Sequence, residues 1–214
     1  MLSSITPISE KGRGNRYLRT CAWFVFGAVL GGATLGVGAA ALAAGVGALD
    51  LSERAVELLG AATLIVVATV PLPHHRRQVN ERWLDRYRPW VYGAGFGWQI
   101  GVGLATYVKS AGVYALIVLS ALTGSPSAAL LLCGLFGLVR GLAVLLTARV
   151  QTPQDLVHFH SRFMAIESTV ENAVMAVLLF GAAVLVGPLF AVAAVVAGVV
   201  ALGVRVRHRK PQPA

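Results

Sequence analysis

The sequence predicts an all-α fold, a polytopic membrane protein built as a bundle of six transmembrane helices. Three observations support this prediction. The 214 residues are 57% hydrophobic and only 13% charged, whereas soluble domains average about 25% charged residues. Apolar runs long enough to cross a bilayer alternate with short polar segments. The basic residues fall almost entirely in every second polar segment, as expected for cytoplasmic loops.

The first predicted elements are a polar cytoplasmic tail at 1–19 and a membrane span at 20–49. This apolar run is far longer than the roughly 7–15 apolar residues of a signal peptide, so we interpret it as an uncleaved span. A short polar turn leads to the second span at 55–72. Two prolines, Pro71 and Pro73, end that helix because proline interrupts helical hydrogen bonding.

The third apolar stretch, 90–122, is too long for one simple crossing. As a continuous helix it would measure about 50 Å, against a hydrocarbon core of about 30 Å. Two full spans would not fit, so either one long tilted helix extends beyond the bilayer or the helix is broken near Lys109. The remaining spans are predicted at 127–148, 166–186 and 189–204, with a polar loop at 149–165 and a basic cytoplasmic tail at 205–214.

The distribution of basic residues predicts that both termini are cytoplasmic. Fifteen of the 18 Lys and Arg residues lie in the two tails and in the loops 73–89 and 149–165. By the positive-inside rule, this distribution requires an even number of spans. We expect the chain to be a multi-pass protein of the plasma (inner) membrane. We interpret the net charge of +9 as this topology signal, not as a nucleic-acid surface. The expected partners are the lipid bilayer, anionic headgroups at the basic loops, and a second copy or a membrane partner protein.

A Phe-Gly-x-x-x-Gly pattern occurs three times in the predicted spans. Small residues four positions apart form a groove that lets another helix backbone approach closely, so we predict a helix-packing role for these glycines. The pattern indicates either an internal repeat or chance recurrence in a chain with 24 glycines. The glycines concerned are Gly27, Gly31, Gly97, Gly101, Gly137 and Gly141.

Four polar residues within the spans are candidates for a substrate path. Arg140 and Glu171 lie at matching depths in spans four and five, so an ion pair between them is geometrically possible. Together with Gln99 and Asn172 they would form a polar layer in the inner half of the bundle. The alternatives are a structural ion pair that fixes the two helices, or an Arg140 that extends to the inner headgroups.

The two cysteines, Cys21 and Cys133, are expected at depths that differ by about 15–20 Å. A disulfide requires a Cα separation of about 4.4–6.8 Å, so two buried, unreactive thiols are expected. The five histidines lack a carboxylate or a cysteine at ligand spacing, which predicts no metal site. No hydrolase, phosphate-binding or haem motif is present, so we expect no cofactor and favour a function other than catalysis.

The glycine-rich first span and the cysteines in spans one and four resemble the membrane thiol–disulfide proteins of cytochrome c biogenesis. Those proteins are grouped with the lysine-exporter and sulfite-exporter families, and the segment 80–106 resembles uncharacterised actinobacterial membrane proteins of that group. The resemblance implies a small transporter or exporter. Alternatively, it implies electron transfer through Cys21 and Cys133, although neither has the neighbouring proline of the redox members. A non-catalytic membrane assembly partner is the third hypothesis.

Overall fold

The computed structural model describes residues 4–70, 82–103 and 112–187. Helices make up most of these ranges and no strand occurs in them, which confirms the predicted all-α class. A 3-10 turn, Ala143–Thr147, extends the seventh helix. The α-helices are α1 (Pro7–Gly12), α2 (Tyr17–Ala48), α3 (Glu53–Thr69), α4 (Trp83–Arg86), α5 (Pro89–Val102), α6 (Gly112–Leu122), α7 (Pro126–Leu142) and α8 (Pro153–Val186).

Helix α2 is the central element, and it packs along α5, α6 and α7. Helix α5 runs parallel to α2, since Gly93 lies against Thr20 while Gly101 lies against Ala28. Helix α6 lies beside the second half of α2, and the turn after it brings Gly124 against Gly47. Helix α7 returns in the opposite direction along the same central helix.

Helices α3 and α8 form a second, antiparallel pair. Gly60 in the middle of α3 faces Leu185, and Gly181 faces Leu64 further along α3. An apolar cluster that includes Ala115 of α6 holds this pair together. Helix α6 therefore connects the α3–α8 pair to the bundle around α2.

The third apolar stretch does not form one continuous helix. Helix α5 ends at Gly103, whose left-handed backbone (φ 73°) terminates the helix about halfway along α2. Helix α6 is described from Gly112 and lies further along α2. This helix end lies before Lys109. The predicted break near Lys109 itself stays a prediction, because Lys109 lies outside the described residues.

The polar segment predicted as a loop at 149–165 is largely helical, because α8 begins at Pro153. Its first turn is closed by a capping box in which Thr152 and Asp155 each accept a backbone N–H of the other residue. Hydrogen bonds with the Thr152 side chain and from the N–H groups of Gln151 and Thr152 hold the pKa of Asp155 below its usual value. The predicted sixth span, 189–204, and the tail at 205–214 lie outside the described residues.

Three of the described helical segments are long and apolar enough to cross a membrane: Tyr17–Ala48, Pro126–Thr147 and Ser168–Val186. Their outward faces expose large apolar side chains, among them Val37, Leu131, Val139, Val177 and Phe180. Such an exterior is compatible with surrounding lipid and is costly in water. The six-span count and the sidedness of the termini stay predictions.

Candidate functional site: a buried carboxylate at one end of the bundle

Residues 4–16 fold across the first turn of α2, instead of lying away from the bundle as a tail. The side chain of Thr6 caps α1 by accepting the N–H of Ser9 at 3.2 Å. Pro7 occupies the first helical position, where its missing N–H costs nothing. This short helix places Glu10 in the interior, and its side chain is fully buried.

The Glu10 carboxylate accepts hydrogen bonds from three side chains. Thr20 Oγ1 donates at 2.6 Å, the Tyr92 hydroxyl lies 2.7 Å from Oε2, and Arg13 Nη1 lies 2.9 Å from Oε1. The Tyr92 hydroxyl also accepts from Asn15 Nδ2 at 3.1 Å. A buried carboxylate needs this degree of pairing, because an unpaired buried charge costs several kcal/mol. The cluster therefore fixes α1, α2 and α5 relative to one another.

A second set of hydrogen bonds joins the N-terminal segment to the 3-10 turn after α7. The Tyr17 hydroxyl donates to the Val144 carbonyl at 3.0 Å. Thr147 Oγ1 lies 2.9 Å from the Ile5 carbonyl, to which it donates. The same end of the bundle thus gathers the N-terminal segment, the starts of α2 and α5, and the end of α7.

The two cysteines lie in different layers of the bundle, and both are free and buried. Cys21 belongs to an apolar cluster beneath Glu10 that also contains Ile5 and Tyr92. Cys133 lies in a separate cluster, with its carbonyl against Gly32. Gly32 follows Cys21 by eleven residues, about 16 Å along the helix axis. The two thiols therefore cannot form a disulfide in this conformation.

The six glycines of the Phe-Gly-x-x-x-Gly pattern lie where α2 contacts α5 and α7. A Cβ on Gly97 would overlap the carbonyl of Phe24, and one on Gly101 would overlap that of Ala28. Gly27 and Gly31 make the reciprocal contacts from α2, while Gly137 and Gly141 lie against the backbone or Cβ of α2 residues 25–32. The pattern did not include Gly32, whose Cβ would overlap the Cys133 carbonyl.

The four predicted substrate-path residues do not form one polar layer. Arg140 lies over the ring of Phe136, with 5.3 Å from its guanidinium carbon to the ring centroid. Glu171 and Asn172 belong to α8, which packs mainly on α3. Gln99 is half-buried on α5, and Asn172 is exposed. The Arg140–Glu171 ion pair is not formed in the described part of the chain, where Arg13 pairs with Glu10 and Arg54 pairs with Glu57.

Sequence reasoning did not identify Glu10 or Tyr92. The order Thr6-Pro7, followed by Glu10 in the first turn, is typical of a helix start and could have indicated α1. The burial of Glu10 depends on Tyr92, which is 82 residues away in the chain. No local pattern reports a contact at that separation.

The chain is similar to two curated proteins over part of their length. No family model matches the chain, and no solved structure matches it. The chain is similar to the methylamine utilization protein MauF of Paracoccus denitrificans, with 30% identity over 159 residues, 68% of this chain and 56% of the relative. MauF of Paracoccus versutus is 31% identical over 156 residues, 66% of this chain and 56% of the relative. The chain thus spans just over half the length of these curated relatives.

Proposed function

We propose that this chain is a multi-pass protein of the bacterial plasma membrane that serves methylamine utilization as a non-catalytic partner of another membrane or membrane-bound protein. The similarity to MauF, over 68% of the chain for the Paracoccus denitrificans protein, supports the process. The apolar exterior and the three crossing-capable segments support the location.

The observation that carries the partner role is the close packing of α2. Glycines at its contacts with α5 and α7 bring helix backbones together, so these contacts leave no space for a solute between the helices. The buried polar groups at the Glu10 end of the bundle, Glu10 and Tyr92, are engaged with each other and with Thr20. This arrangement suits a rigid scaffold better than a conduit.

The test is deletion of the gene in its source bacterium, with growth measured on methylamine and on ammonium as the nitrogen source. We expect growth to be lost on methylamine only and to be restored by the wild-type gene. Gly97→Leu, which would force α2 and α5 apart, should fail to restore growth. Gly134→Ala, at a glycine with no atom within 4 Å of the added Cβ, should restore it fully. Equal growth of the deletion strain on both nitrogen sources would overturn the proposal.

A small transporter or exporter is the second candidate, favoured by the end of α5 halfway along α2. Transporters often place their binding sites where a membrane helix is interrupted. In this hypothesis Gln99 and Arg140, on the adjacent helices α5 and α7, would line the substrate path. Uptake and efflux of labelled methylamine in proteoliposomes separate the two candidates. A flux that Arg140→Ala abolishes at unchanged protein amount favours transport, whereas absent flux with intact growth favours the partner role.

A further inference from the structure

A cleft of about 550 Å³ lies between the 3-10 turn after α7 and the first half of α8. One wall is formed by Leu146, Arg149 and Val150. The other wall is formed by α8, including His158, Phe159, Arg162, Phe163 and Ile166. The cleft is separate from the Glu10 cluster, and none of its basic side chains is used by the proposed function.

The cleft carries excess positive charge. Arg149 and Arg162 are exposed, and neither forms an ion pair within the described part of the chain. Asp155 is the acidic member of the lining, and its carboxylate is engaged by the N–H groups of Gln151 and Thr152 at 3.1 and 2.8 Å. The two guanidinium groups are therefore available to an anion, and guanidinium binds phosphate oxygens in a bidentate manner.

The position of the cleft indicates which anion it would bind. The crossing-capable segment Pro126–Thr147 ends at one wall, and the segment Ser168–Val186 begins just beyond the other. The cleft therefore lies where the apolar, membrane-crossing segments end and polar residues begin. In a membrane protein this boundary lies at the level of the lipid headgroups. Leu146, Phe163 and Ile166 continue the lining as an apolar surface. A ligand that complements basic side chains next to an apolar surface has an anionic headgroup and hydrocarbon chains.

We propose that this cleft binds one anionic phospholipid, with its phosphate between Arg149 and Arg162 and its acyl chains along Leu146, Phe163 and Ile166. The sequence predicted anionic headgroups along the basic loops in general, and the cleft defines one built site among them. Its volume falls within the range of about 300–1,000 Å³ usual for small-molecule sites. The inference is independent of the role in methylamine utilization.

The experiment measures lipid retention by the full chain, purified in a neutral detergent, using native mass spectrometry. Phosphatidylglycerol and phosphatidylcholine with identical acyl chains are added at equal concentrations. We expect phosphatidylglycerol to bind at least about tenfold more tightly, and Arg149→Gln/Arg162→Gln to remove that preference. Both lipids carry a phosphate, so the expected difference reflects repulsion between the choline cation of phosphatidylcholine and the two guanidinium groups. An about tenfold difference corresponds to about 1.4 kcal/mol.

The matched control is Arg16→Gln/Arg19→Gln, which removes the same charge from two exposed arginines at the start of α2. This control should retain the preference for phosphatidylglycerol, and circular dichroism should show unchanged helix content in both variants. Equal loss of preference in the two double variants would show diffuse electrostatic attraction and overturn the site. Equal retention of the two lipids by the wild-type protein, or displacement of phosphatidylglycerol by inorganic phosphate alone, would also overturn it.

Discussion

Replacement of Gly97 by alanine tests the close contact between α2 and α5 most sharply. The new Cβ would overlap the Phe24 carbonyl oxygen and lie 2.9 Å from the backbone nitrogen of Ala28. Both obstacles are backbone atoms of α2, so no side chain can rotate away. To restore ordinary contact, the two helices must separate by about 1.5 Å, which loosens the whole α2–α5 contact.

Overpacking of this kind costs about 1–3 kcal/mol. Alanine returns up to about 1 kcal/mol through its higher helix propensity. Because the overlapped atoms belong to backbone, the upper end of this range applies, and we expect Gly97→Ala to lower the free energy of unfolding by about 2 kcal/mol. Gly134→Ala on α7 is the matched control, because its Cβ meets no atom within 4 Å. In this control only the higher helix propensity of alanine acts, so its free energy of unfolding should be unchanged or raised.

The assay is reversible unfolding of both variants and the wild type in the same neutral detergent, followed by circular dichroism as sodium dodecyl sulfate is titrated. A Gly97→Ala protein as stable as the wild type would refute the backbone contact. A similar loss of unfolding free energy in Gly134→Ala would show that any added methyl group lowers stability in this detergent. The result for Gly97→Ala would then not report on the contact between the helices.

Three further predictions concern the ends of the bundle and the thiols. Glu10→Ala should destabilise the protein by about 3 kcal/mol, because it leaves its buried partners without an acceptor, and limited trypsin digestion should then cut the N-terminal segment faster. The pKa of Asp155 is lowered in the folded state, so its capping contribution is present above its unfolded pKa and is lost as pH falls through the lower folded value. A spin label at Gln154 should therefore become mobile on acidification, and in Asp155→Ala, which has no side-chain acceptor, it should be mobile at every pH. Cys21→Ala/Cys133→Ala should support methylamine-dependent growth as well as the wild type, since the thiols lie in separate layers.

Each of these predictions has a contradicting outcome. Unchanged trypsin sensitivity in Glu10→Ala, relative to Glu53→Ala at the exposed start of α3, would mean that the N-terminal segment is not held by the carboxylate. If the mobility of the spin label in the wild type does not change with pH, the Asp155 carboxylate does not hold the first turn of α8. Growth lost in the cysteine double variant at normal protein amounts would favour electron transfer through the thiols.

The helices of the bundle could be predicted where apolar length alone decides them. The predicted span at 20–49 corresponds to α2 at Tyr17–Ala48, and the predicted span at 55–72 corresponds to α3 at Glu53–Thr69. The first half of α8 was predicted as a loop because its residues are polar. Its helical start depends on the capping pair Thr152 and Asp155, which the apolar pattern does not report.

The candidate sites could be predicted only in part, because depth along a helix does not specify which helices are neighbours. Arg140 and Glu171 have matching depths, yet α7 packs on α2 whereas α8 packs mainly on α3. The Glu10 cluster depends on contacts between distant parts of the chain. The local sequence around Glu10 is polar and therefore predicts a cytoplasmic tail at 1–19. The glycine spacing was more informative, since it marks a face of one helix whatever the partner is.

The direct test of the membrane bundle is the sidedness of its two ends. In a cysteine-free background, single cysteines replace exposed residues Lys11 and Gln154 at the Glu10 end, and Ser52 and Ser127 at the opposite end. Intact cells are treated with a membrane-impermeant maleimide. We expect labelling at Ser52→Cys and Ser127→Cys only, with Lys11→Cys and Gln154→Cys labelled after the cells are opened. Labelling of all four positions in intact cells, or of one position from each end, would contradict the account. It would show that the bundle does not cross the membrane with the Lys11 and Gln154 segments on the cytoplasmic side.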